Sequence, residues 1–171
     1  MLISDAYREM QTELHRDPRY GYASSIFAET VANAIKDYKI TDLLDYGAGK
    51  LRLKDELESL GVKCKYSAYE PAIAEHAGQP TKAHMVVCID VLEHVEPDCL
   101  NSVLDHIRLL SRKYVFLTIH TSAAKKVLPD GRNAHLTQQP ASWWMPKIEL
   151  RFDVLKKLEY PYGFLIFGKT K

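Results

Sequence analysis

An apolar run that ends at an acid and two alternating glycines is the feature that most constrains how this chain can fold. Residues 43–50 read Leu-Leu-Asp-Tyr-Gly-Ala-Gly-Lys, which predicts a buried strand over 42–46 that turns tightly into a helix. One glycine permits a backbone conformation that a Cβ would penalise, and the other lets a ligand approach bare backbone. The pattern indicates a site for a small anionic or zwitterionic ligand, although an ordinary tight turn can also carry Gly-x-Gly.

A carboxylate follows one strand–helix–strand unit later. Leucines at helical spacing predict a helix over 51–60, capped by Gly61, and the chain returns as a strand over 63–69 that ends at Glu70-Pro71. Proline cannot continue a central strand, so Glu70 is expected beside the glycine loop if the two strands are parallel neighbours. There it could accept both hydroxyls of a ribose. Arg52 stands where the dinucleotide fingerprint requires a third glycine, which disfavours a nicotinamide cofactor.

Three features together resemble the class I S-adenosylmethionine-dependent methyltransferases: the Asp-x-Gly-x-Gly loop, the acid after the next strand, and the segment 88–95, Cys-Ile-Asp-Val-Leu-Glu-His-Val. The resemblance covers nearly the whole chain. It implies that the loop faces the methionine part of the cofactor, that Glu70 holds the ribose, and that the third segment lines the methyl-transfer site. The cofactor-binding residues expected on this basis, with one tyrosine from an N-terminal lid, are Tyr20, Asp45, Tyr46, Gly47, Ala48, Gly49, Glu70, Pro71, Asp90, Val91 and Leu92.

The chain departs from this family in two places. Many members have a third glycine where this chain has Leu51, and only about a dozen residues separate Glu70 from the next apolar strand. That gap is too short for a full helix and a full third strand, which predicts a simplified adenine pocket. Both departures would suit an alternative function, a non-catalytic binding or scaffolding module with the nucleotide fold. A nicotinamide-dependent oxidoreductase is a third possibility that Arg52 weakens.

Hydrophobic periodicity predicts the remaining elements. Helices are expected over 5–15, 25–38, from Pro97 to 110 and over 140–150, and strands over 85–90, 114–119, 152–158 and 164–169. The expected fold is α/β, a doubly wound, Rossmann-like and mostly parallel sheet with a terminal antiparallel hairpin strand. The 171 residues suit one domain, with an N-terminal helical lid over 1–40 and a catalytic core over 41–171.

Composition and charge argue against long nucleic acids and membranes as partners of this chain. The formal net charge of +1 gives no electrostatic footprint for long nucleic acid, and no apolar run approaches the ~20 residues of a membrane span. A cytoplasmic location is therefore expected, and the oligomeric state is not indicated. The cysteines at 64, 88 and 99 are odd in number and not closely spaced, which argues against a disulfide framework or a zinc site.

Asp90, Glu93 and His94 lie at i, i+3 and i+4 in the segment that leaves a strand. Carboxylate oxygens with an imidazole suit magnesium or manganese. The spacing resembles the Glu-x-x-Glu-His metal motif of the small-RNA 2′-O-methyltransferases and the ubiquinone-pathway O-methyltransferases. That resemblance implies a further histidine from a later loop, for which His135 is the matching candidate and His120 a second. In the alternative without a metal, Glu93 and His94 orient loops.

The long polar loop over 120–140 is expected to overhang the cofactor crevice and to form much of the acceptor pocket. One residue of the pair Trp143 and Trp144 should pack in the core, since adjacent helical residues point about 100° apart. Tyr20 and Tyr22 either pack on the sheet edge or belong to a lid. The expected reaction is methyl transfer to an oxygen or nitrogen of a small-molecule or terminal-residue acceptor, and the candidate catalytic residues are Asp90, His94, Arg132 and His135.

Overall fold

The computed structural model describes all 171 residues. The elements in chain order are α1 Asp5–His15, α2 Ala23–Ile26, α3 Ala28–Asp37, β1 Asp42–Tyr46, α4 Arg52–Ser59, β2 Lys65–Tyr69, β3 Ala83–Ile89, α5 Leu100–Leu110, β4 Ser111–His120, α6 Ala141–Glu149, β5 Phe152–Tyr160 and β6 Gly163–Thr170. Single 3₁₀ turns lie at Ala74–His76 and Leu92–His94. None of the helices has the length and apolar character that crossing a membrane requires.

The sheet confirms the predicted fold class. Its six strands lie in the order β2-β1-β3-β4-β6-β5. The pairs β1–β2, β1–β3 and β3–β4 are parallel, and β6 is antiparallel to both β4 and β5. Because β1 and β2 are parallel neighbours, their carboxyl ends meet at one edge, as the argument for Glu70 required. The 13 residues from Glu70 to Lys82 contain only a 3₁₀ turn, which leaves β2 as the edge strand.

One predicted helix was wrong in its extent. The single helix expected over 25–38 is broken at Phe27, which leaves helical geometry with ψ near 0° and packs its ring 5.9 Å from that of Tyr160. Trp143 and Trp144 both lie away from the crevice. Trp144 is fully buried and donates from Nε1 to the main-chain oxygen of Gln139, whereas Trp143 lies under the Lys147 ammonium. One tryptophan therefore packs in the core, as expected, and neither lines the crevice.

Apolar side chains cover both faces of the sheet. One face packs against α5 and α6 through residues such as Leu104, Ile107 and Trp144, and the other packs against α3 and α4 through Val31 and Leu53. The apolar residues of α5 recur at helical spacing, as a helix with one face in the core requires, and all five are buried: Leu100, Val103, Leu104, Ile107 and Leu110. The three cysteines are free. Helices on both faces leave the carboxyl edge of the parallel strands open for a binding site.

Helix α1 lies across that open edge. Ser4 caps the helix by accepting from the main-chain nitrogen of Tyr7, and it donates from its own nitrogen and hydroxyl to the carboxylate of Glu96 at 2.8 and 2.7 Å. The Tyr7 hydroxyl donates to the carbonyl of His94 at 2.6 Å. These contacts fix α1 to the segment that follows β3.

Candidate active site

A crevice of about 610 Å³ opens at the carboxyl ends of β1, β2, β3 and β4. This volume lies in the range of small-molecule and cofactor sites. Its walls come from the glycine loop, from the ends of β2 and β3, from the first part of the long loop, and from the N-terminal segment. The predicted cofactor-binding residues that line it are Tyr20, Tyr46, Gly47, Ala48, Gly49, Glu70, Pro71, Asp90 and Val91.

The glycine loop has the conformation that its sequence predicted. Gly47 and Gly49 both have positive φ, +82° and +48°. Leu51, which replaces the third glycine of many family members, also lies in the left-handed region at φ 61° as the N-cap of α4. A branched side chain there is disfavoured by about 1–2 kcal/mol. Leu51 therefore adopts a backbone conformation that favours glycine although the residue is leucine.

Gly47 is also required for close approach. A Cβ built on Gly47 would lie 2.3 Å from Cγ2 of Val91. The main-chain nitrogens of Gly47 and Ala48 donate to the carbonyl of Tyr69 at 2.8 and 3.1 Å. These bonds tie the loop to the end of β2 and bring it against the residue that follows Asp90.

Glu70 lies at the end of β2 and is 8% exposed. Its Oε1 accepts from the nitrogen of Ala72 at 3.0 Å, and its Oε2 accepts a long bond of 3.4 Å from the nitrogen of Gly49. Burial raises the pKa of Glu70, and the two main-chain N–H groups partly oppose this rise. The carboxylate is thus held beside the glycine loop with one oxygen facing the crevice.

The N-terminal segment contributes a chain of hydrogen bonds along the crevice. The Tyr20 hydroxyl donates to Oε1 of Gln11 at 3.1 Å, and Nε2 of Gln11 donates to the hydroxyl of Tyr7 at 2.7 Å. The Tyr20 ring meets the rings of His15 and His94 edge-on, with centroids 5.1 and 6.3 Å apart. Tyr20 therefore lies inside the crevice, whereas Tyr22 at its mouth is 60% exposed.

His94 and His135 are in contact in the crevice, with their ring centroids 4.7 Å apart. Nδ1 of His94 lies 2.8 Å from the carbonyl of Ala134, and Nδ1 of His135 lies 2.6 Å from the carbonyl of Ser122. A carbonyl can only accept, so each Nδ1 carries a proton, and Nε2 of each neutral ring keeps its lone pair. Burial and the neighbouring His135 lower the pKa of His94 to about 3, and burial lowers the pKa of His135. Both rings are neutral near pH 7.

Glu93 completes this cluster. It is fully buried, its Oε1 accepts from the main-chain nitrogen of His120 at 2.9 Å, and its Oε2 has no partner. Burial, with a smaller contribution from the charge of Asp90, raises the pKa of Glu93 well above its usual range. One ligand atom from each of Glu93, His94 and His135 lies within 4.8 Å of the others. These three residues could hold a divalent cation.

Asp90 lines the crevice but lies outside the three-residue cluster, contrary to the four-ligand expectation. Its Oδ1 accepts from the hydroxyl of Thr118 at 2.5 Å, which directs the carboxylate toward β4. Burial raises its pKa, and the bond from Thr118 opposes this. The second metal candidate, His120, is also outside the cluster, although its ring lies 4.8 Å from that of His135.

Three other predicted site residues do not reach the crevice. Arg132 forms an ion pair with Asp130 on an exposed turn, with 2.7 Å between Nη2 and Oδ2. Leu92 is fully buried in the core. Asp45 lies beneath the glycine loop and accepts from the hydroxyl of Tyr66 at 2.5 Å. Burial raises the pKa of Asp45 to about 7.

The sequence did not indicate the crevice residues of α1. Tyr7, Gln11 and His15 occupy one helical face, at i, i+4 and i+8. That spacing was visible, but a polar helical face usually faces solvent. Only the position of α1 over the sheet edge identifies these residues as part of the crevice wall.

No family model matches the chain, and no curated protein matches it in sequence. Many solved structures are similar in fold, among them the following three. The mitomycin 7-O-methyltransferase MmcR superposes with a TM-score of 0.69 at 14% identity over 95% of this chain, which spans only 61% of the MmcR chain. The DhpI–SAH complex superposes with a TM-score of 0.65 at 16% identity, and the superposition covers 98% of each of the two chains. A Burkholderia thailandensis 1,6-didemethyltoxoflavin-N1-methyltransferase, bound to its substrate and S-adenosylhomocysteine, has a TM-score of 0.65 at 13% identity over 94% of this chain and 84% of its own. The chain therefore has the fold of the class I S-adenosylmethionine-dependent methyltransferases.

Proposed function

We propose that the protein transfers the methyl group of S-adenosylmethionine to an oxygen or nitrogen of a small-molecule or terminal-residue acceptor. The observation that carries the proposal is the position of Glu70. Its carboxylate lies beside a glycine loop with positive φ, in a crevice at the carboxyl ends of the parallel strands. A similar fold in the DhpI–SAH complex adds support for this cofactor.

The chemistry places modest demands on the protein. S-Adenosylmethionine supplies a methyl group on a positively charged sulfur, so the carbon–sulfur bond breaks as the acceptor atom bonds to that carbon. The main task of the chain is alignment of the two reactants at near-attack distance. Glu70 would accept the ribose hydroxyls, and the loop over 47–49 would leave room for the amino-acid end.

A hydroxyl acceptor must also lose its proton. His94 and His135 both direct a lone pair on Nε2 away from a carbonyl-bound Nδ1. Because the pKa of His94 falls to about 3, His94 is a weak base, and His135 is the better proton acceptor. Asp90, whose carboxylate is bonded to Thr118, would position the acceptor.

A divalent cation is a second candidate component, and one observation favours it. Oε2 of Glu93 is buried without a partner, and one ligand atom from each of Glu93, His94 and His135 lies within 4.8 Å of the others. Nδ1 bonds to carbonyls are the arrangement that orients metal-binding histidines in proteins. Two nitrogens and one oxygen fit manganese, iron or zinc better than magnesium. When bound, such an ion would lower the pKa of an acceptor hydroxyl.

We also infer that the start of the N-terminal segment over 1–40, up to the turn before α2, serves as a lid on the core over 41–171, whereas α3 in the same segment packs against the sheet. Nζ of Lys50 donates to the carbonyls of Asp17 and Tyr20 at 2.8 and 3.1 Å, and Nζ of Lys126 pairs with the Asp17 carboxylate at 2.6 Å. These bonds join the N-terminal turn to the glycine loop and to the long loop. Closure would exclude water from the reacting centre.

The three free thiols support a cytoplasmic location.

The alternative function is a binding or scaffolding module without catalysis. The missing strand beyond β2 favours it, whereas the retained left-handed conformation of Leu51 weakens it. A module of this kind would bind S-adenosylhomocysteine yet transfer no methyl group to any acceptor in a screen with labelled cofactor.

Calorimetry with S-adenosylhomocysteine and NAD in parallel tests the proposal. S-Adenosylhomocysteine should bind and raise the melting temperature by mass action, and NAD should not. Glu70→Ala should weaken binding by about 1–3 kcal/mol, because it removes the acceptor of the ribose hydroxyls. Glu75→Ala, an exposed acid on the following 3₁₀ turn, is the matched control and should change nothing. Absence of binding by the wild-type protein would refute the proposed function.

A further inference from the structure

His15, the last residue of α1, carries a buried polar atom that no contact within the protein explains. Its side chain lines the crevice and is 11% exposed, yet its Nδ1 is buried without a hydrogen-bond partner. Its Cε1 lies 3.4 Å from the position that a Cβ on Gly49 would occupy. Its Nε2 lies 3.9 Å from Oε2 of Glu70. That distance is too long for a direct hydrogen bond.

The charge and tautomer of His15 follow from these surroundings. Burial and the nearby Lys50 ammonium lower the pKa of His15 to about 4, so the ring is neutral near pH 7. A neutral imidazole carries one N–H, and a buried N–H without an acceptor is rarely tolerated. The proton therefore belongs on Nε2, which faces Glu70. The edge-on contact with Tyr20 holds the plane of the ring.

We propose that His15 is a ribose-binding residue, in which Nε2–H donates to the same cofactor hydroxyl that donates to Oε2 of Glu70. The inference rests on the proposed function. A hydroxyl has one donor and two acceptor lone pairs, so it can make both bonds at once. An oxygen about 2.8 Å from each atom closes a triangle on the 3.9 Å separation between Nε2 and Oε2. Oε1 of Glu70 accepts from the nitrogen of Ala72 at 3.0 Å, whereas Oε2, the oxygen nearer to His15, accepts only the long 3.4 Å bond from the nitrogen of Gly49 and has room for a second donor.

The ribose-binding role also accounts for the position of α1. Thr12 donates from its hydroxyl to the carbonyl of Ala72 at 2.9 Å, one turn before His15. The bond fixes the end of α1 to the segment that follows Glu70. It therefore sets the separation between the imidazole and the carboxylate that a shared hydroxyl requires.

Calorimetry with three ligands on the full chain tests the proposal: S-adenosylhomocysteine and its 2′-deoxy and 3′-deoxy analogues. His15→Ala should weaken binding of S-adenosylhomocysteine about tenfold. For the analogue that lacks the shared hydroxyl, the variant and the wild type should bind equally. His15→Gln places a side-chain N–H near the original Nε2 and should recover part of the affinity. His76→Ala is the matched control, because that histidine lies outside the crevice.

The outcomes separate the two proposals. If the wild type binds and His15→Ala binds all three ligands equally well, or is weakened equally for all three, the ribose role is wrong while the proposed function stands. If the wild type binds none of them, both proposals fail. Melting temperatures without ligand show whether each variant folds, and if His15→Ala does not, His15→Gln provides the comparison across the three ligands.

Discussion

Replacing Gly47 with alanine should destabilise the fold for two separable reasons. The first is backbone conformation, since φ is +82° at this position and a side chain in the left-handed region costs about 1–2 kcal/mol. The second is overlap, because the new Cβ would lie 2.3 Å from Cγ2 and 3.0 Å from Cγ1 of Val91. Overpacking of this kind costs about 1–3 kcal/mol. The expected total is about 2–5 kcal/mol.

Gly61→Ala isolates the first of these effects. Gly61 has nearly the same conformation, φ +70°, and a Cβ there would meet no atom within 4 Å. Its alanine variant should lose only about 1–2 kcal/mol. Combining Gly47→Ala with Val91→Ala should recover much of the overlap, so the double variant should be more stable than the sum of the two single losses predicts.

Urea unfolding followed by circular dichroism measures all four variants, with stability taken from the midpoint at unchanged slope. Calorimetry with S-adenosylhomocysteine then asks whether the displaced loop also loses affinity, which we expect for Gly47→Ala and not for Gly61→Ala. Equal losses of stability for the two glycine variants, with no coupling between Gly47 and Val91, would refute the close-approach argument.

Three further predictions concern the buried acids and the crevice. Burial raises the folded pKa of Asp45 from 3.8 to about 7, so the folded state keeps a proton that the unfolded chain releases, and stability falls by up to about 4 kcal/mol between pH 4 and 7. In urea unfolding, the stability of Asp45→Asn relative to the wild type should therefore increase across that range. A stability difference that stays constant with pH would contradict this. His135→Ala should lower the methyl-transfer rate at least about 100-fold with cofactor affinity intact, whereas Arg132→Ala, outside the crevice, should retain the rate. Elemental analysis should find a divalent ion that His94→Ala loses and Asp90→Asn keeps, and full activity after exhaustive chelation would exclude a metal requirement.

Local patterns predicted the fold well. The bounds of β1 and α1 agree with the sequence prediction, because a buried strand that ends in glycines and a capped polar helix are both set by near neighbours. Glu70 was placed correctly for the same reason, since proline after a strand marks its end. Three of the four expected metal ligands, Glu93, His94 and His135, lie together, but Asp90 does not join them, because residue spacing does not reveal that Thr118 on the adjacent strand binds its carboxylate.

Contacts between residues distant in the sequence were not predictable. The bonds from Ser4 to Glu96 join residues 92 positions apart, and nothing in either segment indicates its partner. Arg132 illustrates the converse error. Its place in the long loop over 120–140 suggested catalysis, but its guanidinium donates instead to the carboxylate of Asp130, two residues earlier, on the loop surface.

The position of α1 compensates for the short connection after Glu70. Because no strand lies beyond β2, the sheet ends at the strand that carries Glu70, and without α1 that side of the crevice would be open. Helix α1 spans the gap, since Ser4 is bound to Glu96 beyond β3 and Thr12 is bound to Ala72 beyond β2. A helix anchored at both sides of the crevice can hold His15 at the proposed ribose position only while both anchors hold. Cofactor affinity should therefore depend on contacts such as Ser4 with Glu96 that lie away from the glycine loop itself.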